Sequence, residues 1–431
     1  MHIAHLREDS TAQTVDEHLE SVAAWCALFA AKAGLEKAGA LIGYLHDMGK
    51  LSDAFLDYLH YCAAHPGDFS RRGTIPHAIQ GAKYLYEHAA SSGVAAILAL
   101  AIASHHRGLM DCVSPQGDLP FYARLSDPAL SYDEIVRNYV LECPSHARIE
   151  SLLEQARSEI TTFWQRASDQ NLQGGFFIHL LVRLLFSCLI DADRYDTYRF
   201  YAGLTDAIEA PPLPPWDELC TNLEKYLEGL NPSSPGDEPS RQNALSDLSP
   251  VLSQRERIDL LRRAASLRCQ EAGQNPTGVY QLSVPTGGGK TLSSLRFALE
   301  HAKRYKKDRI IYIIPYMTII DQNAQVIRKA LRCDDMILEH HSNIIPDEQP
   351  DGEDYRLLTE RWDSPIILTT MVQFLNTLFA GGTRGAWISP SSAPSALWRG
   401  WTALRKPPGA ATATAKRIAA MYISSISGAR T

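Results

Sequence analysis

Histidine and aspartate residues recur through the first half of the chain in an order that suits metal binding. The set, with the lysine that follows its His-Asp pair, comprises His18, His46, Asp47, Lys50, His77, His105, His106 and Asp193. Imidazole and carboxylate groups are the ligands that suit Mn, Fe, Co, Ni or Zn. Seven such groups exceed what one ion normally uses, so the sequence predicts two ions.

A pair of divalent ions about 3.5–4 Å apart can lower the pKa of a bridging water and stabilise both reacting oxygens of a phosphodiester. Lys50 would then hold a non-bridging phosphate oxygen. The competing interpretation is that each histidine is a separate surface or hydrogen-bonded core residue, which is the commoner role of a lone histidine at a helix end. The metal interpretation therefore depends on the ordered set.

A glycine-rich segment in the second half of the chain has the composition of a phosphate-binding loop. Its binding residues are Thr286, Gly287, Gly288, Gly289, Lys290 and Thr291. Successive backbone N–H groups at a helix N-terminus can bind ATP phosphates, with Lys290 on the β- and γ-phosphates and the Thr291 hydroxyl on Mg²⁺. Val284 stands where the general motif has Gly or Ala. The alternative is a glycine-rich turn that binds no nucleotide.

Helices must position the histidines and aspartates. Thr14 and Glu17 have the spacing of a capping box that opens an apolar helix carrying His18. The His-Asp and His-His pairs each close a helix, and Asp193 closes the apolar helix that runs through Ile190. We therefore predict an all-α domain over residues 1–208.

A Pro/Ser-rich linker with one short helix follows, which we place at 209–250. Beyond it the predicted secondary structure changes from helices alone to alternating strands and helices. Strands are predicted at 279–284, 309–314 and 366–369, alternating with helices at 291–304 and 319–331. This alternation indicates an incomplete α/β RecA-like lobe over 251–382. Residues 383–431 contain no Asp or Glu and lack periodicity, so we expect an aberrant tail, frameshifted or disordered.

Composition indicates the cellular compartment of the protein and the partners that it can bind. It has 431 residues, no signal-peptide layout and eight cysteines without a C-x-x-C pair, which indicates a reducing cytoplasm. No apolar run approaches the roughly 20 residues of a membrane span, so we expect a soluble protein with no membrane partner. A formal charge of −7 offers no global attraction to nucleic acid, so such contacts must be local.

The segment His46-Asp47-Met48-Gly49-Lys50 resembles the HD phosphohydrolase superfamily, whose hallmark is an adjacent His-Asp metal ligand. That resemblance selects Asp193 as the last carboxylate, because the family's final ligand usually follows a hydrophobic residue and Ala, and leaves Asp191 as the alternative. The segments Tyr312–Gln322 and Ile366–Asn376 resemble the DNA-contacting motifs of superfamily 2 helicases. In this order, the motifs resemble the CRISPR-associated nuclease-helicase of type I systems, most closely subtype I-C.

The resemblance implies that a CRISPR RNA-guided surveillance complex recruits the protein to the displaced single-stranded DNA of an R-loop. The HD domain would cleave that strand with two transition metal ions (Mn, Ni, Co or Fe), and the helicase would pull it in with ATP and Mg. No Asp-Glu pair follows the Thr369-Thr370 motif and a second helicase lobe is absent, so we expect a truncated helicase without efficient ATP hydrolysis or unwinding. Two alternatives stay open: an HD phosphohydrolase of a nucleotide, and an inactive remnant that only binds partners.

Overall fold

The structure is a computed structural model, and it describes most of residues 1–230, together with 253–341, 362 and 364–379. The short gaps before 230 are 8, 66–67, 69, 72–73, 90–91, 107, 170–173, 206 and 209–211. Two parts of the sequence analysis lie outside the described residues: most of the linker and the tail. The described residues fall into two compact units, one within 1–210 and the other within 211–376.

The first unit is helical, with one small antiparallel hairpin at its start. The hairpin pairs β1 (Ile3–Leu6) with β2 (Ala12–Thr14). The helices are α1 (Val15–Ala31), α2 (Glu36–Leu45), α3 (Asp53–Ala64), α4 (Gln80–His88), α5 (Ser92–Ser104), α6 (Pro120–Leu125), α7 (Tyr132–Glu142), α8 (Ile149–Asp169) and α9 (Gly174–Ala202). The sequence analysis predicted the helices and did not predict the hairpin.

Local sequence explains why α1 begins and how closely it packs. Thr14 caps the helix and Glu17 completes the capping box, as predicted. Helix α1 packs against α2 and α9. Gly43 of α2 allows the first contact, because a Cβ there would lie 2.5 Å from Ala23 Cα. The absence of a side chain at this one position therefore brings the end of α2 close to α1, where the first metal ligands lie.

Helix α9 is long and apolar enough to cross a membrane by length and composition. Most of its apolar stretch, 61%, is buried inside the structure, as in the core helix of a soluble protein. It packs against α1 and α5 and ends with the polar segment that contains Asp193 and Asp196. Burial of the apolar turns thus fixes the position of the carboxylates that follow them.

The second unit is built on a three-stranded parallel sheet. Its elements are α10 (Trp216–Leu230), α11 (Gln254–Gly273), α12 (Lys290–Arg304), β3 (Ile310–Ile313), α13 (Met317–Leu331), β4 (Ile337–His340), β5 (Ile366–Thr369) and α14 (Met371–Phe379). The strand order is β3-β5-β4, with Ile366 of β5 level with both Ile310 and Ile337. A helical unit followed by a lobe with a small parallel sheet confirms the predicted fold class.

Two details differ from the sequence analysis. Residues 279–284 form no strand and are largely exposed, so that strand prediction was wrong. Strands buried in a parallel sheet need nearly continuous apolar runs. The runs in β3 and β5 are continuous, whereas Gln281 and Ser283 interrupt the run at 279–284. Conversely, the short strand β4 was not predicted.

Helix α10 lies within the segment that the sequence analysis assigned to a linker. Its residues Trp216, Leu219 and Leu223 are buried in the apolar core formed by the sheet and helices α12 and α13. The Trp216 indole also donates to the Lys307 carbonyl, with the two atoms 2.7 Å apart. The helix is therefore part of the core of the second unit, and the domain boundaries stay a prediction on either side of it.

Candidate metal centre and phosphate loop

Four helix positions in the first unit bring predicted ligands together. His18 lies in α1, His46 and Asp47 follow the last residue of α2, and Asp193 lies in α9. One ligand atom from each of these four residues lies within 4.8 Å of the others. His18, His46 and Asp47 are fully buried, and Asp193 is partly exposed. The cluster therefore opens toward solvent on the side of Asp193.

The distances within this group are a few tenths of an ångström longer than those of atoms that share an ion. His18 Nε2 lies 3.5 Å from both Asp47 Oδ2 and Asp193 Oδ1. His46 Nε2 lies 3.5 Å from Asp47 Oδ2 and 3.6 Å from Asp193 Oδ1. Two donor atoms about 2.1 Å from one ion, at the angles of tetrahedral or octahedral coordination, lie roughly 3.0–3.4 Å apart. The four side chains fit one transition metal ion.

The histidine rings are oriented by hydrogen bonds at Nδ1. His18 Nδ1 lies 2.7 Å from Asp196 Oδ2, and His46 Nδ1 lies 2.8 Å from the Gly43 carbonyl oxygen. Because both partners are acceptors, each Nδ1 carries a proton, which leaves Nε2 as the atom that can bind a metal ion. Both Nε2 atoms are buried, and neither makes a hydrogen bond to any residue that the structure describes. A metal ion would satisfy both.

A second group shares Asp47 with the first. It consists of Asp47, His105 and His106, with His105 Nε2 3.0 Å and His106 Nε2 3.5 Å from Asp47 Oδ1. His105 Nδ1 donates to the Ile102 carbonyl, 2.7 Å away. The two oxygens of one carboxylate thus face two sets of imidazoles. This arrangement suits a carboxylate that bridges two ions.

His77 and Lys50 border the two groups. The His77 ring lies 4.6 Å from the His106 ring, centroid to centroid, but His77 belongs to neither group of converging ligand atoms. Burial lowers the pKa of His77 to about 4, so its ring is neutral. Lys50 Nζ lies 2.8 Å from Asp47 Oδ2 and 3.2 Å from His5 Nε2. The structure therefore places Lys50 beside the cluster, with its ammonium group against the shared carboxylate.

The two central carboxylates remain ionised despite burial. Burial raises the pKa of Asp47, but the charges of Lys50 and His46 outweigh that effect and hold the pKa well below its usual range. For Asp193, burial is likewise outweighed by the neighbouring His46, whose Nε2 lies 3.6 Å from Oδ1, and the pKa of Asp193 is also well below the usual range. Metal binding requires deprotonated carboxylates, so the electrostatics of this site favour a cation.

Asp191 and Asp193 are separated by the geometry of α9. Residues two apart on a helix point about 200° from each other. Asp193 accordingly lies in the metal group, and Asp191 is buried on the other side, where burial and the charge of Asp191 raise the pKa of the Cys26 thiol. The structure thus brings Asp193, and not Asp191, to the histidines.

Sequence reasoning missed three residues around the cluster. Asp196 orients His18 and also accepts from Gln13 Nε2, 3.0 Å away. Its position three residues after Asp193, on the same helical face, is a signal that was available. His5 of the hairpin lies with its ring centroid 4.8 Å from that of His18. Burial and then the charge of Lys50 lower the pKa of His5 to about 2, so it stays neutral.

The phosphate loop precedes α12. Gly287 and Gly289 have φ of +79° and +80°, a conformation that favours glycine, and Gly289 is the N-cap of α12. Lys290 and Thr291 form the first turn of the helix, where the backbone N–H groups have no helical partner. Thr291 Oγ1 donates to Asn323 Oδ1 of α13, 2.9 Å away. Arg262 of α11 donates to the Gly287 carbonyl, with 2.8 Å between the atoms.

Comparisons with known proteins identify two segments of the chain. Residues 15–136 match the family model of the HD domain, and residues 264–388 match that of the DEAD/DEAH box helicase, which runs past the predicted end of the lobe. No curated protein matches the chain.

Among solved structures, the chain is similar to T. fusca Cas3 with ADP, at 17% identity and a TM-score of 0.44, covering 87% of this chain and 44% of that one. It is also similar to T. fusca Cas3 alone, at 15% identity and a TM-score of 0.43, covering 88% of this chain and 46% of that one. The chain spans less than half the length of these structures. From its matched segments, it carries an HD domain followed by a DEAD/DEAH box helicase domain.

Proposed function

We propose that the first unit is a metal-dependent nuclease that hydrolyses phosphodiester bonds of single-stranded DNA. The observation that carries this proposal is the pair of buried, unpaired Nε2 atoms of His18 and His46, which face two ionised carboxylates. Nitrogen and oxygen donors in this arrangement suit Mn²⁺, Fe²⁺, Co²⁺ or Ni²⁺. A nuclease needs such a centre to activate water and to neutralise a phosphodiester.

The residues have separable roles in this proposal. His18, His46, Asp47 and Asp193 hold one ion, and Asp47, His105 and His106 hold the second, with His77 beside it. When bound, the ions supply a water of lowered pKa and stabilise charge on the phosphate. Lys50 releases its contact with Asp47 to hold a non-bridging phosphate oxygen, and Asp196 keeps the His18 proton at Nδ1. The opening beside Asp193 admits the strand.

The second unit supports DNA, rather than a free nucleotide, as the substrate. A DEAD/DEAH box helicase segment follows the HD domain in the same chain, and a hydrolase of small molecules has no use for it. We further propose that the protein is a nuclease-helicase of type I CRISPR defence, of subtype I-C. It would act in the cytoplasm on the displaced strand opened by an RNA-guided surveillance complex.

For the phosphate loop we propose ATP binding with Mg²⁺ through Thr286, the three glycines, Lys290 and Thr291. The 431 residues contain no carboxylate after Thr370. We therefore propose that these 431 residues bind ATP weakly at best and neither hydrolyse it efficiently nor unwind DNA. DNA-stimulated ATP turnover by the purified chain would contradict this part of the proposal.

The nuclease proposal is tested by incubating the purified chain with circular single-stranded DNA, and separately with nucleotides, in the presence of Mn²⁺, Co²⁺ or Ni²⁺. We expect DNA cleavage that a chelator stops and that is lost in the His46→Ala/Asp47→Ala variant. Cleavage that persists in this variant rejects the assignment. Hydrolysis of nucleotides alone supports the nucleotide phosphohydrolase, and inactivity with every metal supports a chain that only binds partners.

A further inference from the structure

Three residues of the second unit whose side chains can ligate a metal ion converge outside the phosphate loop. Asp321 lies in the second turn of α13, Glu339 lies in β4, and His341 follows the end of β4. One ligand atom from each of these residues lies within 4.8 Å of the others, and His341 Nε2 is 3.3 Å from Asp321 Oδ1. Because β3 and β4 are parallel to β5, this cluster lies at the carboxyl edge of the sheet, the edge at which α/β folds bind ligands.

The state of His341 points to a ligand. The residue is only 8% exposed, and neither of its ring nitrogens makes a hydrogen bond to any residue in the described part of the chain. Buried polar atoms are nearly always paired, so two unpaired nitrogens on one ring require an explanation. An ion bound at Nε2 would provide the missing partner of that nitrogen, because Nε2 faces Asp321.

A hydrogen bond from Arg328 holds the Glu339 carboxylate in place. Arg328 of α13 donates from Nη1 to Glu339 Oε1, and its Nη2 lies 3.4 Å from the Ile337 carbonyl oxygen. Carboxylates that bind metals are themselves usually oriented by hydrogen bonds. The charge of Arg328 is shared with Asp334, whose Oδ1 lies 3.6 Å from Nε. The guanidinium therefore orients Glu339 while two carboxylates offset its charge.

We propose that Asp321, Glu339 and His341 form a second, separate binding site for a divalent transition metal ion. One imidazole with two carboxylates suits Zn²⁺, Co²⁺ or Ni²⁺, whereas Mg²⁺ and Ca²⁺ prefer oxygen ligands alone. The Asp321 side chain is 57% exposed, so water completes the coordination. The ion ties the end of β4 to α13 at the sheet's carboxyl edge. This site is independent of the proposed nuclease centre.

The test counts ions in the full chain. The His46→Ala/Asp47→Ala variant removes ligands of both groups in the first unit and serves as the background, so that a failed nuclease assignment does not affect the result. After equilibrium dialysis against Co²⁺, we expect one tightly bound ion per background chain, with the visible absorption of a nitrogen–oxygen site. Adding His341→Ala should remove that ion and its absorption.

Two further variants separate ligation from folding. Asp321→Asn changes a largely exposed side chain, keeps its size, and should weaken Co²⁺ binding at least tenfold. Asp335→Asn, a matched change at an exposed carboxylate outside the cluster, should leave binding unchanged. The proposal is overturned if the background chain binds no ion, if Asp321→Asn binds as tightly as its parent, or if Asp335→Asn weakens binding equally.

Discussion

Replacing Asp196 by Asn tests whether the carboxylate behind His18 controls metal binding. Asp196 Oδ2 accepts from His18 Nδ1 at 2.7 Å and from Gln13 Nε2 at 3.0 Å. An asparagine keeps the size of the side chain but removes its charge. Its amide nitrogen can also donate to Nδ1, which would move the imidazole proton to Nε2, the atom that faces the ion. The substitution therefore lowers the basicity of the His18 ligand and also disfavours the tautomer in which Nε2 can bind the ion.

The magnitude follows from the geometry. Loss of such an outer hydrogen bond typically lowers metal affinity about 10–100-fold, which corresponds to roughly 1.4–2.8 kcal/mol of binding free energy. His18 is one of four ligands in its group, so the other three still hold an ion at high concentration. We expect the Mn²⁺ concentration for half-maximal DNA cleavage to rise by this factor, with the rate at saturating Mn²⁺ largely retained.

The assay is a Mn²⁺ titration of cleavage together with direct calorimetric measurement of Mn²⁺ binding. Asp191→Asn is the matched control, because Asp191 lies on the same helix and is as buried as Asp196, but lies outside the metal groups. The control should bind Mn²⁺ as the parent does. Unchanged affinity in Asp196→Asn, or an equal loss in Asp191→Asn, would refute the reasoning.

Three other predictions concern packing, pH and nucleotide. Gly81→Ala places a Cβ 1.7 Å from the Leu45 carbonyl oxygen, and such overpacking costs about 1–3 kcal/mol or more. We expect a lower melting temperature than for the parent, whereas Gly93→Ala, with no atom within 4 Å, should not be destabilised. Burial raises the pKa of Glu142, but hydrogen bonds from His2 outweigh this and leave it lowered. The stability that Glu142 contributes is thus present above its unfolded pKa and is lost as pH falls below about 4.5; acid-unfolding curves of the parent and Glu142→Gln that superimpose would contradict this. Lys290→Ala should abolish binding of a fluorescent ATP analogue, and unchanged binding would reject the phosphate-loop interpretation.

Residue type and order alone pointed to the metal cluster, and its His-Asp and His-His pairs do follow the ends of α2 and α5, as predicted. Asp193 was predicted to close its helix, but it lies within α9, which continues to Ala202. The choice of Asp193 over Asp191 rested on a family resemblance, and helical geometry supplies its physical reason. Asp196 could have been suspected from its position three residues after Asp193 on the same helical face, but nothing in the sequence pairs it with a particular histidine. Its partners, Gln13 and His18, are brought to it only by the packing of α1 against α9.

The second unit shows where local sequence was insufficient. The run at 279–284 alternates apolar and polar residues as a strand does, yet it forms no strand. The parallel sheet contains β3 and β5, whose apolar runs are more continuous. The sequence analysis predicted one short helix at the position of α10 but placed it in a linker, because Pro- and Ser-rich stretches flank it. Its amphipathic face is buried in the core only because the sheet, more than eighty residues later in the chain, provides the complementary surface.

The division of the Asp47 carboxylate between two sets of imidazoles has a consequence for how the centre is loaded. An ion held by His18 and His46 would fix the carboxylate plane and so pre-position Oδ1 between His105 and His106. The second ion would then meet a carboxylate that the first already holds, and would also be repelled by the charge of the first. By thermodynamic linkage, each ion changes the affinity of the other by the same factor. Occupancy of the two positions should therefore be coupled through Asp47, so that weakening the ligands of one ion alters the affinity for the other.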